Sequence, residues 1–137
     1  MKQVIFALLI AVTLMVSVSS QARGTAKLDD HRRVSFTVVP DRALTPGQVR
    51  DSIVAVARSR DWVLTAEQPG QLTLRNDIRG QFQVVINVSY DVTGMQVDYV
   101  SSENLDYKTY HGVPYIHPKY NKWVNLLIKG VNSRLSS

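Results

Sequence analysis

No cysteine occurs anywhere in the 137-residue chain. Disulfides, thiol redox chemistry and thiolate metal sites are thereby excluded, and stability has to come from packing alone. Acidic residues are missing from the last stretch: none follows Asp106, whereas Lys108, Lys119, Lys122, Lys129 and Arg134 all do. The glycines do not gather into a phosphate cradle; Gly70, Gly80 and Gly94 stand apart and read as turn residues. HxxxH, HExxH and GxSxG are absent, so neither a helical zinc site nor a nucleophile elbow is written here, and no cofactor motif stands in their place.

What is present begins with Met1, Lys2 and Gln3, then an apolar run from Val4 to Val18, then Ser19, Ser20, Gln21 and Ala22. A charged start, an apolar middle and small residues at the end are the parts of a secretory signal peptide in their usual order. Cleavage is expected after Ala22, with Ser20 as second choice. A retained anchor is the plain alternative, but the run is shorter than the roughly 18 to 20 residues a spanning helix needs. With no cysteine near the cut to carry a lipid, the mature protein is expected to be exported, periplasmic and soluble. Removing 22 of the 137 residues leaves 115, with 15 basic and 11 acidic side chains and a net charge of +4. That length suits one domain able to bury about two-thirds of its unfolded surface. The basic balance points to an anionic glycan or lipid of the envelope, or to an acidic protein partner; export argues against nucleic acid. A solvated basic face with no ligand is the plain alternative, and the oligomeric state is not readable.

Residues 23–33 are polar and non-periodic and are expected to form a flexible leader to a single domain over 34–137. Val34, Phe36 and Val38 alternate with polar residues as in a strand that Pro40 ends. Thr45-Pro46-Gly47-Gln48 reads as a capping box with proline at the first helical position, and Leu44 and Val49 can close a hydrophobic staple. The spacing predicts a helix from Pro46 to about Arg60, with Val49, Ile53, Val56 and Ala57 inward. Four alternating runs follow: Trp62, Leu64 and Ala66; Leu72 and Leu74; Phe82 to Tyr90; and Met95, Val97 and Tyr99. Thr65, Glu67, Thr73, Arg75, Gln83, Asn87, Ser89, Gln96 and Asp98 fall on the opposite, wet face. In the last helix Tyr120, Trp123, Val124, Leu127, Ile128, Val131 and Leu135 fall within roughly 140° of arc. The expected fold is α+β, a two-layer sandwich in the order β-α-β-β-β-β-α, with a mainly antiparallel meander sheet and two helices on one face.

Ser101 to Lys119 forms a 19-residue connection in a chain whose other turns are short. Long ordered connections often carry function. This one, with the start of the last helix, is the candidate ligand or partner surface: Tyr107, Tyr110, His111, Tyr115, His117, Lys119 and Lys122. Tyrosines interleaved with lysines can stack on sugar rings while holding an anionic polymer; they can also simply anchor the segment over the core. The alternative is a small hydrolase or metal-assisted enzyme using Glu103, Asp106, His111 and His117. However, those residues lack metal-ligand spacing, and His117 next to Pro118 reads better as a helix cap.

The runs Ser102-Glu103-Asn104-Leu105-Asp106-Tyr107 and Ile116-His117-Pro118-Lys119-Tyr120-Asn121-Lys122-Trp123-Val124 resemble the C-terminal signature of small exported proteins and lipoproteins of Gram-negative bacteria. The similarity extends back through the capped helix and the strands. It implies a periplasm-facing location and a small α+β fold, and it carries over no activity and no catalytic residue. This chain departs from many such proteins in having no lipid-bearing cysteine after the signal.

Overall fold

The computed structural model describes residues 24–29, 33–37 and 43–137. The expected signal peptide, its cleavage at Ala22, and the expected strand end at Val38 and Pro40 lie outside them. The described chain runs β1 (Ala26–Lys27), β2 (Val34–Ser35), α1 (Pro46–Ser59), β3 (Trp62–Gln68), β4 (Gln71–Ile78), β5 (Phe82–Tyr90), β6 (Gly94–Glu103), β7 (Lys108–Tyr110), β8 (Val113–Ile116) and α2 (Pro118–Ser136). This is an α+β fold built on antiparallel sheets, one of five strands in the order β2-β6-β5-β4-β3 and one of three in the order β1-β8-β7. Among the described residues no helix is long and apolar enough to cross a membrane.

Local chemistry sets the helix boundaries. The Gln48 amide donates to Thr45 Oγ1 at 3.1 Å and the Thr45 amide to Gln48 Oε1 at 2.9 Å, so the capping box closes in both directions ahead of Pro46. Val49 is fully buried and Leu44 packs against the same core. At the other end the Arg60 and Asp61 amides return to the carbonyls of Ala57 and Arg58, and Asp61 turns left-handed at φ 67° to start β3. From β3 to β6 the chain is a meander of adjacent antiparallel strands. Its apolar residues, Leu72, Leu74, Val84, Ile86, Val88 and Met95 among them, join Val49 and Ile53 of α1 and Tyr120, Val124 and Leu127 of α2 in one hydrophobic cluster. Period two in the strands and period 3.6 in the helices therefore meet in a shared core.

Four expectations change. Ala26 and Lys27, assigned to a flexible leader, pair with Ile116 and Tyr115 as β1, and Leu28 packs on the core. The strand expected from Val34 is only two residues long, although Phe36 just after it is 5% exposed and its amide donates to the Thr93 carbonyl at 2.9 Å. A bulge between Leu64 and Ala66 shifts the register, so Ala66 pairs with Thr73 and Glu67 with the buried Leu72. Glu67 is thus turned to the core side, where Arg50 of α1 donates to its two oxygens at 2.8 and 2.9 Å. Finally, β1, β7 and β8 add three strands to the expected β-α-β-β-β-β-α order, and most of the long connection is regular structure: β6 runs on to Glu103 and β7 and β8 form a hairpin.

Asp91 organises the β5–β6 turn. Its Oδ1 accepts from the Thr93 amide at 2.8 Å, the Thr93 hydroxyl at 2.7 Å, the Gly94 amide at 3.1 Å and the Arg33 guanidinium. The guanidinium first, then the Thr93 groups, hold its carboxyl well below the ordinary 3.8. A carboxyl depressed in the folded state stabilises the fold above its unfolded value and loses that contribution as pH falls through the folded one. Stability is therefore expected to decline from about pH 4 downward, near the unfolded value of the group. Asp91→Asn should flatten that slope by lowering stability at pH 7, where the wild-type carboxylate contributes in full, and should approach wild type in acid, as read from urea midpoints across a pH series. A slope identical to wild type would show that Asp91 does not couple to folding.

Candidate functional site

The β7–β8 hairpin closes through His111 at φ 51° and Gly112 at φ 76°, both left-handed as a two-residue primed turn requires. Histidine is one of the few side chains tolerated there. Tyr115 in β8 sits between two partners, Lys27 of β1 and Lys108 of β7. Directly paired residues share a face, so Lys27, Tyr115 and Lys108 form a row across all three strands, with Tyr110 and Val113 two residues further along the same face. Ile116, on the opposite face, is fully buried. Both lysines are exposed, Tyr110 is 63% exposed and Tyr115 is half-buried. Among the described residues no ion pair joins Lys27 or Lys108. The row is an aromatic ring between two exposed cations, on a sheet fastened to α2: Asn121 Nδ2 donates to the Lys27 carbonyl and the Asp29 amide donates to Asn121 Oδ1, both at 3.0 Å.

Not all the expected surface residues gather here. Tyr115 and Tyr110 belong to the row's face, and His111 stands at the hairpin tip with its ring edge-on to Tyr110 at 4.3 Å. Tyr107 turns away and stacks on Tyr99, centroids 4.4 Å apart, and Tyr99 in turn meets Tyr120 edge-on at 5.7 Å. His117 is the N-cap of α2: its Nδ1 accepts from the Lys119 amide at 3.1 Å and its own amide donates to the Leu105 carbonyl at 2.8 Å. Lys119 and Lys122 are exposed on the first turns of α2. Four-residue spacing sets Lys119 on the flank of Trp123, and Lys122 on that of Leu126, away from Asn121 and the small sheet.

Most of the signature runs have structural roles. Asn104 and Asp106 are left-handed at φ 62° and 56° and put Leu105 into the core between them at 1% exposure, while Asn104 Nδ2 donates to the Gln81 carbonyl at 2.6 Å. Tyr120 and Val124 are core residues. The four residues of the enzymatic alternative have separate settings: Glu103 ends β6 opposite Gln83, Asp106 is a turn residue, His111 is at a hairpin tip and His117 is a cap. Among the described residues no group of three or more His, Asp or Glu side chains is placed to hold a metal ion.

Lys27 is the residue sequence reasoning missed. The signal was present in Ala26-Lys27-Leu28, where one polar residue sits between two apolar ones, but it was too short to separate from a polar leader. No protein-family model, no curated protein and no solved structure matches the chain.

Proposed function

We propose that this chain is an exported, non-enzymatic accessory domain of the bacterial envelope that binds an anionic glycan on the outer face of the β1-β8-β7 sheet. The observation that carries this reading is the Lys27–Tyr115–Lys108 row, in which two exposed cations with no acidic partner among the described residues flank a half-buried aromatic ring. A tyrosine ring offers an apolar face to a sugar ring, and ammonium groups on either side suit acid groups spaced along a polymer. The net positive charge of the chain supports the same reading by drawing polyanions to the surface. Export rests on the N-terminal pattern and on the resemblance to small exported proteins.

The test is retention of the folded chain on an acidic polysaccharide, polygalacturonate, beside neutral dextran. Wild type should be held by the acidic polymer only, and less so as salt shortens the range of charge attraction. The double variant Lys27→Glu/Lys108→Glu should lose at least about tenfold in affinity, on the scale of about 1.4 kcal/mol, with an unchanged circular dichroism spectrum. Lys119→Glu, on the far flank of α2, should lose much less. Equal retention of the double variant and wild type would overturn the reading.

A further inference from the structure

A groove of about 430 Å³ opens on the other flank of α2, away from the small sheet. It arises from a mismatch in strand length. Helix α1 stops at Ser59, β3 starts at Trp62, and the first β3–β4 pair is Trp62 with Asn76. Residues Asp77 and Ile78 of β4 therefore run on past the start of β3, with no strand among the described residues beside them on that side. Trp123 and Leu126 of α2 close the opposite wall.

Its chemistry is specific. Asn76 is 5% exposed; its Nδ2 donates to the Arg60 carbonyl at 3.2 Å, and its Oδ1 is buried without a partner among the described residues. Asn76 thus ties the start of β3 to β4 from inside the groove floor, and its Nδ2 holds the Arg60 backbone at the rim. Arg60 and Arg79 contribute two guanidinium groups that pair with no described carboxylate. The Asp77 carboxylate is already taken, by Arg75 at 3.2 Å and by Gln83 at 2.9 Å, which leaves Asp61 as the groove's open acceptor. The half-buried Trp123 supplies aromatic surface, and Trp62, 2% exposed, underlies the groove as part of the core.

We infer that this groove binds a single carboxylated sugar unit. A guanidinium takes a carboxylate in a two-pronged hydrogen bond, the Trp123 ring packs on the apolar face of the sugar, and the ligand's hydroxyl groups donate to Asp61. The volume lies within the range of small-ligand sites. None of these residues belongs to the β1-β8-β7 face, so the inference does not depend on the polymer-binding proposal.

Both tryptophans of the chain line the groove, so selectively excited tryptophan fluorescence reports on it directly. The folded chain is titrated with glucuronate and, in parallel, with glucose. Saturable fluorescence change is expected with glucuronate at an affinity at least about tenfold above that for glucose, with a further loss of about tenfold in Arg79→Gln or Arg60→Gln. Lys27→Glu/Lys108→Glu should bind glucuronate as wild type does. No saturable change with glucuronate, equal response to glucose, or full binding by both arginine variants would overturn the inference. Loss of binding in the lysine double variant alone would move the acidic-sugar site to the small sheet and overturn it as well.

Discussion

Gly94→Ala is expected to cost about 2–4 kcal/mol of stability, from the overpacking of a filled site together with partial exposure of a phenylalanine. Gly94 opens β6, is buried, and pairs with Ser35 of β2. A Cβ at this position would sit 2.5 Å from the Val34 carbonyl oxygen and 3.3 Å from the Arg33 guanidinium carbon. The first of these is backbone and cannot rotate aside, so strand β2 has to move. β2 is two residues long and is secured just beyond its end by the buried Phe36, by the Phe36 amide on the Thr93 carbonyl, and by the Thr37 amide on Asn132 Oδ1 at 2.8 Å. Displacing it loosens all three. Urea unfolding followed by tryptophan fluorescence measures the loss. A change under about 0.5 kcal/mol, the ordinary size for a surface substitution, would mean that β2 yields freely and that its pairing with β6 contributes little.

Much of the fold was legible because burial is one-sided. β5 alternates from Phe82 to Tyr90, Val85 excepted, since one face joins the buried core, and the α2 stripe is readable for the same reason. The Thr45 box could be read outright because its two hydrogen bonds are made by residues three apart, so no tertiary information is needed. The hairpin of β7 and β8 was not legible: Lys108, Thr109 and Tyr110 are all exposed, and without a buried face a strand leaves no period to detect. Bulges were hidden too. The extra residues fall at Thr65 and Val100, β-branched types that suit an ordinary strand, so only the pairing register reveals them. The Val100 bulge is what allows Ser102 to lie across from buried Val84 and reach the Tyr99 hydroxyl at 2.7 Å.

The candidate site was legible in part, for a related reason. Tyr110 and Tyr115 could be singled out by composition, and they do share a face. Their partner Lys27 comes from a segment more than eighty positions earlier, and only strand pairing shows the neighbourhood. Tyr107 and His117 looked like ligand residues because aromatic and imidazole groups serve both binding and packing. The groove was beyond sequence reading altogether: residues 59–62, 76–79 and 123–126 carry no shared pattern and meet only because β4 outruns β3.

Tyr120→Ala should bring a loss of about 3–5 kcal/mol, the range for deleting a buried ring. That is a large share of the about 5–15 kcal/mol that holds a domain of this kind together. Tyr120 is fully buried in the first turn of α2, and burial pushes its hydroxyl above the ordinary tyrosine range. Its ring is also the inner end of a three-ring series, with Tyr99 edge-on to it and Tyr107 stacked on Tyr99 from outside. Truncation removes the floor of that series as well as core volume. The outermost member behaves differently: Tyr107 is 42% exposed, and Tyr107→Ala should cost no more than about 1.5 kcal/mol, the size of one aromatic pair. Denaturant midpoints for the two variants give the comparison, and polygalacturonate retention gives the second reading. A Tyr107→Ala chain that is slightly less stable yet binds the polymer as wild type does places this tyrosine in the packing that holds the hairpin to the core. Weakened retention at unchanged stability would instead extend the ligand face around the hairpin to include it.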